Sequence, residues 1–139
     1  MPETNHVPAA IAILIISDDS ILLGKRFNGR QFEGWQCPGG FLLRGESLEE
    51  CARRICREKA GLEINELTQG PLTNNIFPNT QPPLHTITQY FIARHYQVYD
   101  EERFADEQYS WQWFDRSAIP EPRFLPLELL LAEFDPWLS

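Results

Sequence analysis

The order of secondary-structure signals along the chain predicts an α/β fold in which a mixed sheet lies between helices. Strand patterns come first, a capped helical pattern follows, more strands come next, and a second helical pattern ends the chain. A length of 139 residues is enough for one domain with its own core and too short for two. We therefore expect a single α/β domain over residues 1–139, with residues 1–7 as a loose polar tail.

Composition narrows the classes of function. Hydrophobic residues make up 42% and charged residues 23% of the chain, as in soluble globular proteins. The net charge of −8 argues against binding to nucleic acid or to an anionic membrane.

The apolar run 8–16 is far shorter than the roughly 18 residues that a membrane span needs. The N-terminus lacks a signal-peptide pattern, and three cysteines without a C-x-x-C motif predict buried free thiols. We therefore expect a cytoplasmic protein.

The first half of the chain predicts short strands around a hairpin. The continuous apolar run 9–16 is rich in isoleucine, which is typical of a strand buried on both faces. A tight turn at 17–20 and a second strand at 21–26 complete the hairpin. A loop is expected from Asn28-Gly29 to Glu33-Gly34, and short strands are expected at 35–37 and 41–43.

The second half predicts further strands and a closing helix. Strand patterns occupy 63–68, resuming at 73–77, then 85–98 and 109–114, with a turn-rich connection at 78–83 and an acidic loop at 99–108. The final helix is predicted from the i, i+3, i+4, i+7 spacing of Leu127, Leu130, Leu131 and Phe134, and Pro136 ends it.

A capped helix is predicted between Ser47 and Gly61. Ser47 is a good N-cap residue, and Glu50 three residues later completes an S-x-x-E capping box. Gly61 stands where a helix C-terminus favours a left-handed residue. Apolar residues at helical spacing give this helix one buried face: Leu48, Cys51, Ala52, Ile55, Cys56 and Ala60.

A glycine loop, Pro38-Gly39-Gly40, leads into this helix. The other face of the helix carries charges at i,i+4 spacing, including Arg54 and Glu58. By themselves these charges are typical of a salt-bridged surface helix. A glycine loop in front of a carboxylate-bearing helix is more than such a helix needs, and it indicates a functional site.

Together these residues resemble the Nudix box, the signature of hydrolases of nucleoside diphosphates linked to another group. Its pattern is Gly, five residues, Glu, seven residues, and then Arg-Glu-aliphatic-any-Glu-Glu-any-Gly-aliphatic. Seven of its nine defined positions match at the required spacing: Gly40, Glu46, Arg54, Cys56, Glu58, Gly61 and Leu62. Ile55 and Lys59 stand where the pattern has glutamates.

The resemblance implies an α/β/α sandwich of the Nudix type and a hydrolase that uses Mg²⁺, with Mn²⁺ as the alternative ion. It implies that Glu58 is a metal ligand and a catalytic residue, although Glu58 is equally well explained as an ion-pair partner of Arg54. Arg54 is predicted as a further residue of the catalytic site, where it and Glu46 would form a pair that orients the loop on the helix. The backbone of Gly39 and Gly40 would support the metal or the phosphates. A Mg²⁺ ion with open positions would activate water and offset phosphate charge.

Further candidates lie outside the box. Glu107 stands six residues before Trp113, where family members often carry a metal-binding or base carboxylate. We predict it as a second catalytic and metal-binding residue, the alternative being a solvated acidic loop. Lys59 is either a phosphate contact that partly replaces a metal or a solvent-facing lysine of an inactive member. The remaining substrate-binding candidates are Lys25, Arg26 and Trp35.

Two classes of function stay open. The first is a hydrolase of a small-molecule nucleotide, either a nucleoside triphosphate or a nucleotide sugar. The residues 85–88 resemble small nucleotide diphosphatases, whereas Asp106-Glu107-Gln108 resembles GDP-mannose mannosyl hydrolases, which place a histidine where this chain has Tyr109. The second class is a catalytically inactive Nudix-fold module that binds a nucleotide, which the two missing carboxylates favour. Family members are often dimers, so the resemblance makes a homodimer an expectation.

Overall fold

The computed structural model describes residues 5–80 and 83–138; residues 1–4 of the expected tail and residues 81 and 82 of the expected connection lie outside these ranges. The strands are β1 (Ala9–Ser17), β2 (Ser20–Asn28), β3 (Gln31–Gln36), β4 (Gly39–Phe41), β5 (Leu62–Ile64), β6 (Thr68–Ile76), β7 (His85–Ala93), β8 (Tyr96–Val98) and β9 (Gln112–Asp115). The helices are α1 (Leu48–Ile55), α2 (Glu101–Phe104) and α3 (Leu125–Glu133), and a π-helical turn, Cys56–Ala60, continues α1. Within the described ranges, no helix has the length and apolar character needed to cross a bilayer.

The central sheet is mixed, as the sequence predicts. Its strand order is β3-β2-β1-β7-β6, with β4 paired to β1 and β9 paired to β2. The β1–β7 pair is parallel, and the other pairs in this sheet are antiparallel. Strands β5 and β8 form a separate two-stranded sheet. Because β1 lies at the centre with both faces covered, its sequence is continuously apolar rather than alternating.

Side chains of β1 alternate between two apolar clusters, one on each face of the sheet. Ile13 packs in the cluster that contains the buried face of α1. Its neighbour Leu14 packs in the other cluster, with Leu127 and Leu130 of α3. Successive side chains of a strand point to opposite faces, so α1 and α3 cover the sheet from opposite sides. The expected α/β/α sandwich is therefore confirmed.

The helix predicted between Ser47 and Gly61 begins as expected but changes type before it ends. The capping box is present: Glu50 N donates to Ser47 Oγ at 3.0 Å, and Ser47 N donates to Glu50 Oε1 at 2.8 Å. Residues 56–60 form a π-helical turn, so the prediction of one continuous α-helix is wrong there. Gly61 has a φ of +64°, and a Cβ at this position would collide with the backbone oxygen of Asp100.

Several strand boundaries after the helix differ from the prediction. The strand expected at 85–98 is divided into β7 and β8, and the acidic loop expected at 99–108 contains α2. Asp100 begins that helix by accepting a hydrogen bond from Arg103 N at 3.2 Å. The strand expected at 109–114 starts only at Gln112, because Ser110 has a φ of +51° that interrupts the extended backbone.

Boundaries before the helix shift as well. The expected loop from 28 to 34 is shorter, since β3 already starts at Gln31 after a turn in which Gly29 has a φ of +62°. The short strand expected at 41–43 lies at Gly39–Phe41, where pairing with β1 determines it. All three cysteines are buried free thiols, as expected. Burial raises the pKa of Cys51 to about 11 and that of Cys56 to about 12, which makes both poor nucleophiles.

Candidate functional site

The glycine pair brings strand β4 close beneath the helical segment. A Cβ added to Gly40 would lie 3.1 Å from Lys59 Nζ and 3.4 Å from Ile55 Cδ1. A larger residue would have to displace both side chains. Gly40 therefore allows the helix to approach the sheet edge, and the two positions that depart from the box, Ile55 and Lys59, both lie against it.

Arg54 joins the loop to the helix through a set of short hydrogen bonds. Its Nε and Nη2 donate to the two carboxylate oxygens of Glu46 at 2.6 and 3.1 Å, and Nη2 also donates to Phe41 O at 3.0 Å. Its Nη1 donates to Glu58 Oε1 at 3.2 Å. The Arg54 hydrogen bond, together with one from Leu43 N, lowers the pKa of Glu46 to about 2. Glu46 and Arg54 therefore form an ion pair that positions Glu58.

Lys59 lies on the other side of the same segment and has a different environment. Its ammonium group donates a hydrogen bond to the carbonyl oxygen of Gly39. Its own carbonyl accepts a hydrogen bond from Trp111 Nε1 at 2.8 Å, which fixes the backbone of the turn. Burial, and after it the positive charges of Arg26 and Arg54, lowers the pKa of Lys59. Across the described ranges, no carboxylate forms an ion pair with this lysine.

A cavity of about 210 Å³ lies between the sheet and the start of α3, and Lys59 lines it. Apolar groups form most of its walls, including Tyr90 on the sheet side and Phe124 and Leu127 on the helix side. Phe124 also packs against Phe77, with ring centroids 5.6 Å apart. Aromatic side chains thus form part of the cavity wall.

One wall of the cavity carries an ordered polar group. Thr86 and Thr88, on β7, line the cavity, and the fully buried Asn75 of β6 donates from Nδ2 to both hydroxyl oxygens at 3.0 and 2.9 Å. Each hydroxyl keeps its own hydrogen to donate. The Oδ1 atom of Asn75 is buried without a hydrogen-bond partner among the residues described. This wall therefore offers polar contacts to a ligand in an otherwise apolar cavity.

Arg26 is the second cation that lines the cavity. Its guanidinium carbon lies 4.1 Å from the centroid of the Phe124 ring, and its Nε donates to Glu33 Oε1 at 3.1 Å. The side chain is 41% exposed, so it stands where the cavity opens to solvent. We call Arg26 and Lys59 the cationic wall, because both face the same cavity.

The other two substrate-binding candidates do not line this cavity. Lys25 Nζ lies 5.8 Å from the centroid of the Trp35 ring. Trp35 packs edge-on against Phe114, with centroids 4.8 Å apart, in the apolar cluster under α3. Trp35 is therefore packed in an apolar cluster, and Lys25 lies beside it.

The expected metal ligands do not form a cluster. Within residues 5–80 and 83–138, no group of three or more His, Cys, Asp or Glu side chains is arranged to hold a metal ion. The carboxylate of Glu58 is 59% exposed and bonds Arg54, while Glu107 lies exposed on the turn before β9. The carbonyl oxygen of Gly39 already accepts a hydrogen bond from the Lys59 ammonium group. This donor set does not fit a metal ion held by the protein, and the roles of Glu58, Glu107 and Gly40 toward a metal stay predictions.

Sequence reasoning missed the walls of the cavity. Two polar residues of the wall, Thr86 and Thr88, alternate along β7, and Asn75, which bonds both hydroxyls, alternates with Thr73 along the neighbouring strand β6. Each pair therefore lies on one face of its strand. Polar residues with period two in two predicted strands are a signal that the sequence did contain. The contribution of Phe124 had no such signal, because it depends on how α3 packs against the sheet.

Comparison with known proteins agrees with this fold. A family model described as the NUDIX domain matches residues 5–138. The chain is 31% identical over 122 residues to an ADP-ribose pyrophosphatase of Methanocaldococcus jannaschii, covering 86% of this chain and 68% of the relative. It is 28% identical over 109 residues to an oxidized purine nucleoside triphosphate hydrolase of Danio rerio, covering 78% of this chain and 66% of the relative. The chain thus spans about two thirds of the length of these curated relatives.

Solved structures share the architecture at lower identity. A MutT NUDIX hydrolase from Burkholderia pseudomallei superposes with a TM-score of 0.76 at 18% identity, covering 94% of this chain and all of that one (100%). A NUDIX hydrolase from Nitrosomonas europaea gives a TM-score of 0.73 at 19% identity, covering 92% of this chain and 87% of that one. At such identities the likeness is one of fold.

Proposed function

Because the chain belongs to the NUDIX domain family, we propose that it hydrolyses a nucleoside diphosphate derivative, either a nucleoside triphosphate or a nucleotide sugar. The observation that carries the proposal is the cavity, in which aromatic faces and a polar wall lie next to two cations. A nucleotide has the matching parts, since its base is planar and its phosphates are anionic. The pyrophosphatase and triphosphate hydrolase activities named for the two curated relatives support the same class of reaction.

The size of the cavity favours binding of the base with the phosphates outside. Its volume of about 210 Å³ is below the roughly 300 to 1,000 Å³ of sites that enclose a whole drug-sized ligand. A single ring system between Phe124 and the sheet suits this space, with the hydroxyl hydrogens of Thr86 and Thr88 available to a ring acceptor. The phosphates would then lie against the cationic wall.

We assign the chemistry to the two exposed carboxylates that the sequence predicts, Glu58 and Glu107. Glu58 is the candidate for accepting a proton from the attacking water, and Arg54 positions it through the 3.2 Å hydrogen bond. Glu107 is a second candidate carboxylate, on a turn that contacts β2 through the hydrogen bond from Lys25 N to Tyr109 O. Family members generally use divalent metal ions, and Mg²⁺, or Mn²⁺ in its place, stays the expected ion for hydrolysis. Because the described residues form no metal cluster, the substrate phosphates rather than the protein would supply most of its ligands. The expected homodimer and cytoplasmic location also stay predictions.

The second candidate function is a nucleotide-binding module without catalysis. The donor set around Glu58 favours it, because Ile55 is buried and apolar and Lys59 is a cation where the box has glutamates. Such a module would use the same cavity and would release no product.

A substrate panel decides between the two functions. The full chain is incubated with nucleoside triphosphates, ADP-ribose and GDP-mannose, each with Mg²⁺, Mn²⁺ or EDTA, and the products are identified by ³¹P NMR. We expect turnover of one substrate class and a loss of about 100-fold or more in kcat for Glu58→Gln. Glu49→Gln, which neutralises an exposed carboxylate earlier on the same helix, is the matched control and should keep the parent rate. If the parent turns over nothing while still binding a nucleotide, the binding module is the correct function.

A further inference from the structure

We propose that Lys59 is a built-in cation of the site, which binds the diphosphate of a ligand directly where a protein-held divalent metal would otherwise stand. The inference rests on the proposed function in one respect only, namely that the ligand carries phosphates. It adds a specific anion-binding role for the cationic wall, Lys59 together with Arg26.

The position of Lys59 is the first support. Its ammonium group is hydrogen bonded to the Gly39 carbonyl and lies beside Gly40, where the helical segment is nearest to the sheet edge. The turn that carries it is fixed by the hydrogen bond from Trp111 Nε1 and by the buried Cys56 and Ala60. The ammonium is therefore held in one place before any ligand arrives, which lowers the entropy cost of binding.

The distribution of charge is the second support. Arg54 forms ion pairs with both nearby carboxylates, Glu46 of the loop and Glu58 of the helical segment. Lys59 is left without an ion-pair partner in the part of the chain that is described, and its ammonium has three donors, of which the Gly39 carbonyl takes one. Arg26 faces the same cavity. Two cations with open donors are suited to an anion, and phosphate oxygens are strong acceptors for such groups.

The donor set is the third support, because it disfavours a divalent cation. Mg²⁺ is bound by several oxygen ligands, usually including carboxylates. Around Gly39 the described residues offer no cluster of three acidic or other ligating side chains. The Gly39 carbonyl oxygen already accepts a hydrogen bond from the Lys59 ammonium group. Ile55, fully buried and apolar, lies at the same place. A metal ion approaching this point would meet a positive charge, whereas a phosphate would meet a complementary one.

The test measures anion binding separately from activity. Inorganic pyrophosphate is titrated into the ¹⁵N-labelled full chain in a buffer with EDTA, and binding is followed by the amide signals of Gly39 and Gly40 and by calorimetry. We expect saturable binding that Lys59→Met weakens by about 10- to 100-fold, the effect of losing one hydrogen bond to a charged group. Adding Mg²⁺ should not strengthen binding to the parent.

Two variants make the outcome specific. Arg57→Met removes one positive charge from the same π-helical turn, but Arg57 bonds Glu63 at 2.6 Å and does not line the cavity, so its pyrophosphate affinity should match the parent. The double variant Ile55→Glu/Lys59→Glu places carboxylates at the two positions, and we expect it to bind pyrophosphate only when Mg²⁺ is added.

The inference is overturned if the parent shows no saturable binding in EDTA, if it binds only with Mg²⁺, or if Lys59→Met binds as the parent does. Equal losses in Lys59→Met and Arg57→Met would also overturn it, because they would show a nonspecific effect of net charge. The proposed hydrolase function fails by a different result, the absence of turnover in the substrate panel. The two failures are therefore distinguishable.

Discussion

Arg54 and Lys59 are two cations on one helical segment, and their surroundings differ in kind. Arg54, on α1, is paired with the carboxylates of Glu46 and Glu58. Lys59, on the π-helical turn, is hydrogen bonded to the backbone carbonyl of Gly39 and lines the cavity. The first cation has its charge partners within the fold, whereas the second keeps donors available for a ligand.

The two halves of the segment are also stabilised by different interactions. Side-chain hydrogen bonds hold the start of α1, at Ser47 with Glu50 and at Glu46 with Arg54. Backbone geometry at Gly61 and buried apolar side chains hold the π-helical turn. Separate contacts hold each half of the segment. The loop and helix can therefore keep their architecture although Lys59, near the end of the segment, carries an ammonium group where the box has a carboxylate.

The largest expected effect on stability is at Gly61, which ends the π-helical turn. Gly61→Ala places a Cβ in a left-handed residue and against the Asp100 backbone oxygen, so we expect the free energy of unfolding to fall by about 3 kcal/mol. Gly29→Ala is the matched control, because Gly29 has a similar φ of +62° and nothing within 4 Å of the added Cβ. It should cost about 1 to 2 kcal/mol, from backbone strain alone. Urea denaturation measures both, and equal losses would show that the contact at Asp100 is unimportant.

The next effect concerns the ion pair in the first half and depends on pH. The pKa of Glu46 is about 2 in the folded protein against an ordinary value of 4.5, so its ionised form favours folding. That stability is present above about pH 4.5 and is lost as the pH falls from there toward about 2. Glu46→Gln should therefore melt at a lower temperature than the parent at pH 7, and the difference should shrink as the pH is lowered toward 3.

Melting curves by circular dichroism from pH 7 to pH 3 test this prediction. Glu49→Gln is the control, because its carboxylate is exposed on the same helix and takes part in none of the ion pairs found between the described residues. A constant difference between Glu46→Gln and the parent across this range would mean that the Arg54 pair does not stabilise the fold through charge.

A smaller effect is expected at the helix start. Ser47→Ala removes the acceptor for Glu50 N, and losing such a cap costs about 1 kcal/mol of unfolding free energy. Ser47→Asp keeps an oxygen in the capping position and should retain most of the stability. Chemical denaturation of the three proteins tests the first half independently of charge at Arg54, and identical midpoints would show that the capping box contributes nothing.

The smallest effect on stability is expected at Lys59. Lys59→Met removes a half-buried charge without leaving a carboxylate unpaired, so the unfolding free energy should stay within about 0.5 kcal/mol of the parent. The same substitution should weaken pyrophosphate binding by about 10- to 100-fold. A loss of stability as large as that of Ser47→Ala would remove the contrast between the two cations, because Lys59 would then be a structural residue as well.

Local patterns predicted much of the architecture. The isoleucine-rich run of β1, the hairpin with β2 and the cap at Ser47 depend on residues near each other in sequence, and all are present. The π-helical turn was not predicted, since Cys56 and Ala60 are spaced as well for an α-helix as for a π-helix. The division of β7 from β8 and the helix α2 depend on contacts between distant segments, such as the hydrogen bond of Tyr99 N to Gly61 O.

The sequence by itself determined the family, the spacing of the box and the two positions where glutamates are missing, because these are properties of residue order. The tertiary structure alone decided where those positions lie and what they contact. Strand pairing places Gly39 beneath Lys59, and the packing of α3 on the sheet encloses a cavity that both Lys59 and Arg26 face. Arg26 and Lys59 are far apart in the chain, and only the folding of β2 and the helical segment onto one sheet brings the two cations to one cavity.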